Sequence, residues 1–132
     1  MSQQNIDLIN NTYTLFNERK FDEIAEHLAD DIIWIAADSS PLADESPYNG
    51  KTNVRTRVFG RIDAGFEKLT IRADEIFAAE NKVVVLGYYS AILRDSGQTF
   101  DAQLAHIWTV QDGKLKKFQQ YVDTYRIAES LK

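Results

Sequence analysis

The chain has 132 residues, a formal net charge of −5 and no cysteine. Its length suits a single domain, and hydrophobic and charged fractions of 44% and 27% are those of an ordinary globular chain. The acidic balance argues against a nucleic-acid module, whose footprint is a basic patch, and the lack of cysteine excludes disulfides, thiolate metal sites and a thiol nucleophile. No apolar run approaches the roughly 20 residues of a membrane span. The start, MSQQNIDLIN, lacks the basic and apolar regions of a signal peptide. The cytoplasm is therefore the expected compartment, with no nucleic-acid or membrane partner.

Ile6, Ile9, Tyr13 and Phe16 recur at spacings of three and four, which predicts one apolar face of a first helix. Phe21, Ile24, Ala25 and Leu28 predict a second, closed by Asp30–Asp31. Ile32 to Ile35 is short, β-branched and aromatic and reads as a buried strand. Residues 37–50 hold both prolines among serine, aspartate, asparagine and glycine, a long surface loop of the kind that often rims a site. Val54, Val58 and Ile62 predict a third helix, in spite of Gly60.

Four strands complete the chain: Leu69–Ala79, Val83–Leu93, Phe100–Val110 and Leu115–Tyr125, separated by Asn81–Lys82, Asp95-Ser96-Gly97 and Asp112–Gly113. Such short connections imply an antiparallel meander. Helices first and strands after give an α+β domain, the helices covering one face of a curved sheet. In Val83 to Tyr89 both strand faces are apolar. A sheet wetted on one face would alternate, so something must cover the second face. A homodimer through the sheet is the expectation, over a sheet wrapped on itself.

Four stretches carry a resemblance: Phe21-Asp22-Glu23-Ile24 through Trp34, Pro47-Tyr48-Asn49-Gly50, Ala105 to Leu115, and Tyr121-Val122-Asp123-Thr124. In this order they resemble the SnoaL-like and ketosteroid isomerase-like branch of the nuclear transport factor 2 superfamily, over most of 1–132 as one domain. The resemblance implies an α+β cone: a curved antiparallel sheet with three N-terminal-half helices on its concave face and a small-molecule pocket between them. It does not imply one reaction, since a fold hosts many functions.

The ketosteroid isomerase residues are missing. Its oxyanion tyrosine falls at Thr12, beside Tyr13; its base falls near Ala36, two before Asp38; its second acid falls at Ala105, beside His106. Resemblance to SnoaL-like cyclases instead makes Asp123 the candidate catalytic acid/base and His106 a second candidate. Against the first, Asp123 suits the N-cap of a short C-terminal helix. Against the second, strand alternation sets His106 and Trp108 opposite Ala105 and Ile107, so His106 faces the dimer interface if Ala105 faces the pocket. Trp34, which shares parity with Ala36, and Tyr121 and Gln119, which share parity with Asp123, are expected to contact ligand. Tyr13 and Tyr48 are expected beside them.

His27 and His106 are the only histidines and have no metal-ligand spacing, and there is no phosphate loop or dinucleotide fingerprint. No metal or cofactor is expected. An epoxide hydrolase would need an Asp–Arg–Asp constellation, and neither Arg72 nor Arg94 has aspartates paired to it by parity. The expected function is binding of a small hydrophobic metabolite, with cofactor-free isomerase, aldol cyclase or hydratase chemistry left open. The alternative is a non-catalytic ligand-binding or assembly module.

Overall fold

The computed structural model describes residues 2–132. Helix α1 (Ser2–Asn17) and α2 (Phe21–His27) lead into β1 (Leu28–Ile35). After the loop come the two-residue β2 (Tyr48–Asn49), α3 (Lys51–Val54), a π-helical stretch (Arg55–Phe59) and α4 (Gly60–Gly65). Strands β3 (Phe66–Ala79), β4 (Lys82–Leu93), β5 (Thr99–Gln111) and β6 (Lys114–Val122) form the meander, and α5 (Thr124–Ser130) closes the chain.

The six strands run in the order β2-β1-β6-β5-β4-β3 as one curved, open sheet. It is mixed rather than wholly antiparallel: β1 lies parallel to β6, and every other pair is antiparallel. The expected acidic stop to α2 is also displaced. Leu28 pairs with Leu115 of β6 and is fully buried, so the strand begins there and carries Asp30 and Asp31 along its course. Burial of a leucine outweighs the local preference of two aspartates for a helix end.

Alternation divides the sheet faces. The inner face presents Val83, Val85, Tyr89, Ala91 and Leu93 of β4 and Phe100, Ala102, Leu104, His106, Trp108 and Val110 of β5. Ile9, Tyr13 and Phe16 of α1 pack on it, with Ile24, Val54 and Phe59. Asn17 ties the end of α1 to the edge strand: its Oδ1 accepts from Ile71 N–H at 2.8 Å and its Nδ2 donates to Ile71 C=O at 2.9 Å. The amide thus replaces a strand neighbour that β3 lacks.

Of the register slips in the sheet, two matter most for which side chains face inward. In β3 the register slips between Ala73 and Glu75, opposite Gly87. In the last hairpin it slips between Thr109 and Val110, so that Val110 faces Leu115 while Thr109 faces Lys117. Lys116 is the extra residue, and from there on the opposite parity of β6 points inward.

Candidate functional site

Between the inner face and the helices lies a cavity of about 460 Å³, within the usual range for small-molecule sites. Its walls are mostly apolar: Phe16, Trp34, Val58, Ile62, Leu69 and Phe100 among others. Residues Ser40, Leu42 and Ala43 of the 37–50 loop line one side, and α5 supplies Ile127. The π-helical stretch and α4 are latched to the loop at the rim. Arg57 donates to Glu45 at 2.5 Å and to Asp44 at 2.8 Å, and Arg61 reaches Asp44 at 2.9 Å. Tyr48 Oη accepts from the Asp44 and Glu45 N–H groups and donates to the Asp44 carboxylate at 2.9 Å. Hydrogen bonds from Arg57 and Tyr48 hold the Asp44 carboxyl below its usual range.

The cavity wall has polar members too: Arg57 and Arg61 lie toward the rim, and Tyr89 and Gln120 lie on the inner sheet face, where a chain of side-chain hydrogen bonds runs behind them into the core. Gln120 Nε2 donates to Tyr89 Oη at 2.8 Å, while its Oε1 accepts from Ala37 N–H at 3.2 Å. Tyr89 Oη meets His106 Nε2 at 2.8 Å. On the far side of the imidazole, Tyr13 Oη lies 2.6 Å from Nδ1 and accepts from Trp108 Nε1–H at 3.0 Å. The ring is 1% exposed and stands edge-on to Phe118. Burial drives its pKa down to about 3, so it is neutral at neutral pH. Burial pushes both phenols above their usual range, against the opposing hydrogen bonds from Trp108 on Tyr13 and Gln120 on Tyr89. A neutral imidazole with both nitrogens occupied and so low a basicity is poorly suited to accept a proton at neutral pH. It is well suited to orient its neighbours.

The structure separates the residues singled out from sequence. Trp34 and Tyr48 line the cavity. Tyr13 and His106 lie beneath it in the hydrogen-bonded chain. His106 faces the helices, not a second subunit, and Ala105 points outward: the resemblance placed the inward position one residue early. In the same way Tyr13, and not Thr12, reaches across from α1; the Thr12 hydroxyl donates to Leu8 C=O on its own helix. Gln119, Tyr121 and Asp123 do share parity, but outside the cavity. Gln119 Nε2 donates to Tyr121 Oη at 2.6 Å on the outer face, and Tyr121 is 53% exposed.

Asp123 caps α5 from outside the cavity, its carboxylate accepting from Arg126 N–H at 3.2 Å. The β6 bulge is the cause of this exchange. A regular Asp112–Gly113 hairpin sets Gln119 opposite His106, whereas the observed register sets Gln120 there. Tyr89 and Gln120 are the two functional candidates missed in the sequence. The signal for Gln120 was Leu115-Lys116-Lys117-Phe118, two apolar residues three apart in a strand, which only a bulge can bury together. Tyr89 has no such signal; it reads as one more aromatic in an apolar strand.

Neither arginine considered for an epoxide-opening site supplies its guanidinium to the cavity. Arg72 pairs with Asp74 on an exposed part of β3, and Arg94 donates to the carbonyls of Asp63, Ala64 and Phe66. Among the described residues, Asp95 at the exposed β4–β5 turn is the one acidic side chain in the cavity lining.

A helix-covered curved sheet with a cavity between the layers is the architecture of the nuclear transport factor 2-like proteins. The chain belongs to the SnoaL-like domain family, whose model matches residues 9–118. An NTF2-like protein of Burkholderia thailandensis is similar at 25% identity, with 97% of each chain covered and a TM-score of 0.86. One from Burkholderia pseudomallei, described as of unknown function, shares 20% identity over 96% of this chain and 95% of that one, with a TM-score of 0.85. An LEH-like epoxide hydrolase of M. tuberculosis shares 16% identity over 98% and 90%, at a TM-score of 0.80. No curated protein matches the chain.

Proposed function

We propose that this protein binds a small, mostly apolar molecule in the cavity under the 37–50 loop, and that it does so without a carboxylate acid/base. The observation that carries this reading is the cavity itself: mostly apolar walls, Tyr89 and Gln120 on the inner sheet face, Ser130 of α5 beside them in the lining, Arg57 and Arg61 toward the rim, and its one lining acidic side chain out at a turn. Deprotonation next to a carbonyl needs a base of suitable pKa within hydrogen-bond reach of the proton. Asp123 is turned away on α5 and His106 is neutral and doubly bonded. The geometry therefore favours the binding module over the isomerase, cyclase and hydratase readings.

Fluorene serves as a probe. It is expected to quench the fluorescence of Trp34 saturably, and Ala43→Trp, which fills the cavity from the loop, should abolish the effect with little change in stability. Asp123→Ala should bind as the unaltered protein does while losing about 1 kcal/mol of stability, the size of a helix cap. Quenching that survives Ala43→Trp would place the probe elsewhere, and loss of binding in Asp123→Ala would return Asp123 to the site.

The ligand-binding unit is, in this reading, a homodimer through the outer sheet face. Phe77, Val84, Ile107 and Ile35 lie in one cross-strand row, with Leu86, Ala105 and Tyr121 in the next. Phe77 is 50% exposed, a poor surface position for a large apolar side chain unless a second copy covers it. Sedimentation should show a dimer that Ile107→Glu converts to monomer. A monomeric unaltered protein at tens of micromolar would sink the dimer without touching the cavity.

A further inference from the structure

The hydrogen-bonded chain has a direction, and that direction selects a ligand. Its four links are Trp108 to Tyr13, Tyr13 to His106, His106 to Tyr89, and Tyr89 to Gln120. The groups bring five hydrogens to these links: one each from the indole, the two phenols, the neutral imidazole and the Gln120 amide. The two ends are fixed. An indole N–H only donates, and the Gln120 amide is oriented by Ala37 N–H, which requires its oxygen, so its nitrogen must donate to Tyr89. One hydrogen is therefore spare, and it belongs to one of the two phenols.

If His106 carries its proton on Nδ1, it donates to Tyr13. Tyr13 then accepts two hydrogen bonds, and its own hydrogen has no acceptor. Tyr13 is buried, does not line the cavity and has no other side-chain partner among the described residues. An unmet buried donor costs about 1–3 kcal/mol. If the proton is on Nε2, Tyr13 donates to Nδ1 and is satisfied. Tyr89 then accepts from both His106 and Gln120, and its hydrogen is the spare one. Tyr89 is the phenol in the cavity wall. The second arrangement leaves no buried donor unmet once a ligand supplies an acceptor.

We propose that Tyr89 is a preset hydrogen-bond donor aimed into the cavity, that His106 in its Nε2–H form and Tyr13 are the positioning residues that aim it, and that the ligand carries a carbonyl-type oxygen to receive it. This rests on the reading of the cavity as a ligand site. Two accepted hydrogen bonds occupy the Tyr89 oxygen, so it can offer a ligand a donor but no further good acceptor. A ligand hydroxyl with no accepting role is disfavoured at that point; a ketone or quinone oxygen fits it. Most of the wall around Tyr89 is apolar, with the charged groups out at the rim, so the acceptor belongs on a largely apolar ring compound.

Two measurements test the inference. The first needs no ligand. In long-range proton–nitrogen correlation spectra at neutral pH, His106 is expected to show a protonated Nε2 and an unprotonated Nδ1; a protonated Nδ1 overturns the proposal. The second compares 9-fluorenone with fluorene, which differ by the ketone oxygen. Fluorenone is expected to bind about fivefold to tenfold more tightly, the worth of one hydrogen bond, and Tyr89→Phe should erase that preference while keeping fluorene binding. Equal affinities in the unaltered protein overturn the donor and leave the cavity reading standing. Binding of neither probe overturns the cavity reading and this inference with it.

Discussion

Acidification from pH 6.5 to 4.5 is expected to remove about 2 kcal/mol of folding stability through His106 alone. In the folded protein burial holds this imidazole's pKa at about 3, whereas in the unfolded chain it titrates near its ordinary value of about 6.5. Between those values the unfolded state binds a proton that the native state does not. Stability is therefore fully present above about pH 6.5 and falls as the pH drops toward 3. The carboxylates held low by cationic partners, Asp31 by Lys116, Asp44 by Arg57 and Asp74 by Arg72, act with the same sign. Their window, however, opens mainly below about pH 4.5, since it starts from the ordinary carboxylate range. Urea denaturation at half-unit steps of pH separates the two. His106→Gln should lose most of the slope between 6.5 and 4.5 and keep the one below it. An unchanged slope in that variant would mean that the imidazole is not held neutral by the fold.

The second large effect is expected at Gly87, which has no part in the ligand site. A Cβ there would fall well inside contact with the Arg72 carbonyl oxygen, 3.0 Å from its carbon and 3.2 Å from Ala73 Cα. The opposing atoms are backbone at the β3 bulge, paired on both sides of Gly87 by the sheet. They cannot swing aside as a side chain would. Gly87→Ala should cost about 3 kcal/mol or more, the upper end of overpacking penalties, and should loosen β3 from β4. Gly60→Ala is the natural contrast: the added Cβ meets its nearest neighbour, Arg55 C=O, at an ordinary 3.6 Å, in helical backbone, where alanine is favoured by about 1 kcal/mol. A loss below about 1 kcal/mol at Gly87 would show that the bulge can relax.

One structural device links Gly87 to the candidate site. Bulges in β3 and β6 each insert a residue, Asp74 and Lys116, and each reverses the parity of the residues beyond it. In β3 the reversal brings backbone close enough to require glycine. In β6 it turns Gln120 inward and sends Gln119, Tyr121 and Asp123 outward. The composition of the candidate site is decided at that second bulge.

Much of the architecture was legible beforehand because it depends on local periodicity. The spacing of Ile9, Tyr13 and Phe16 makes a helix with one buried face wherever that helix docks. The Asp112–Gly113 turn, with Gly113 at φ 73°, makes a hairpin by its own backbone preference. The helix, loop and strand order, and the resemblance it carries, need no coordinates. Trp34 and Ala36 share a face by alternation alone, and both line the cavity. What alternation cannot supply is the absolute face of a strand once a residue has been inserted, since one extra residue inverts every position after it. Nor can local pattern give the parallel pairing of β1 with β6, which puts Leu28 against Leu115 and Trp34 against Phe118, residues far apart along the chain.

The hydrogen-bonded chain lies at the far end of that scale. Tyr13, His106 and Tyr89 come from α1, β5 and β4, and nothing in the neighbourhood of any one of them names the other two. Helices and turns arise from interactions between residues a few places apart, so the amino-acid sequence determines them directly. Which polar groups share a dry interior depends on how separate elements pack and where a strand bulges, and for this protein only the tertiary structure decided it.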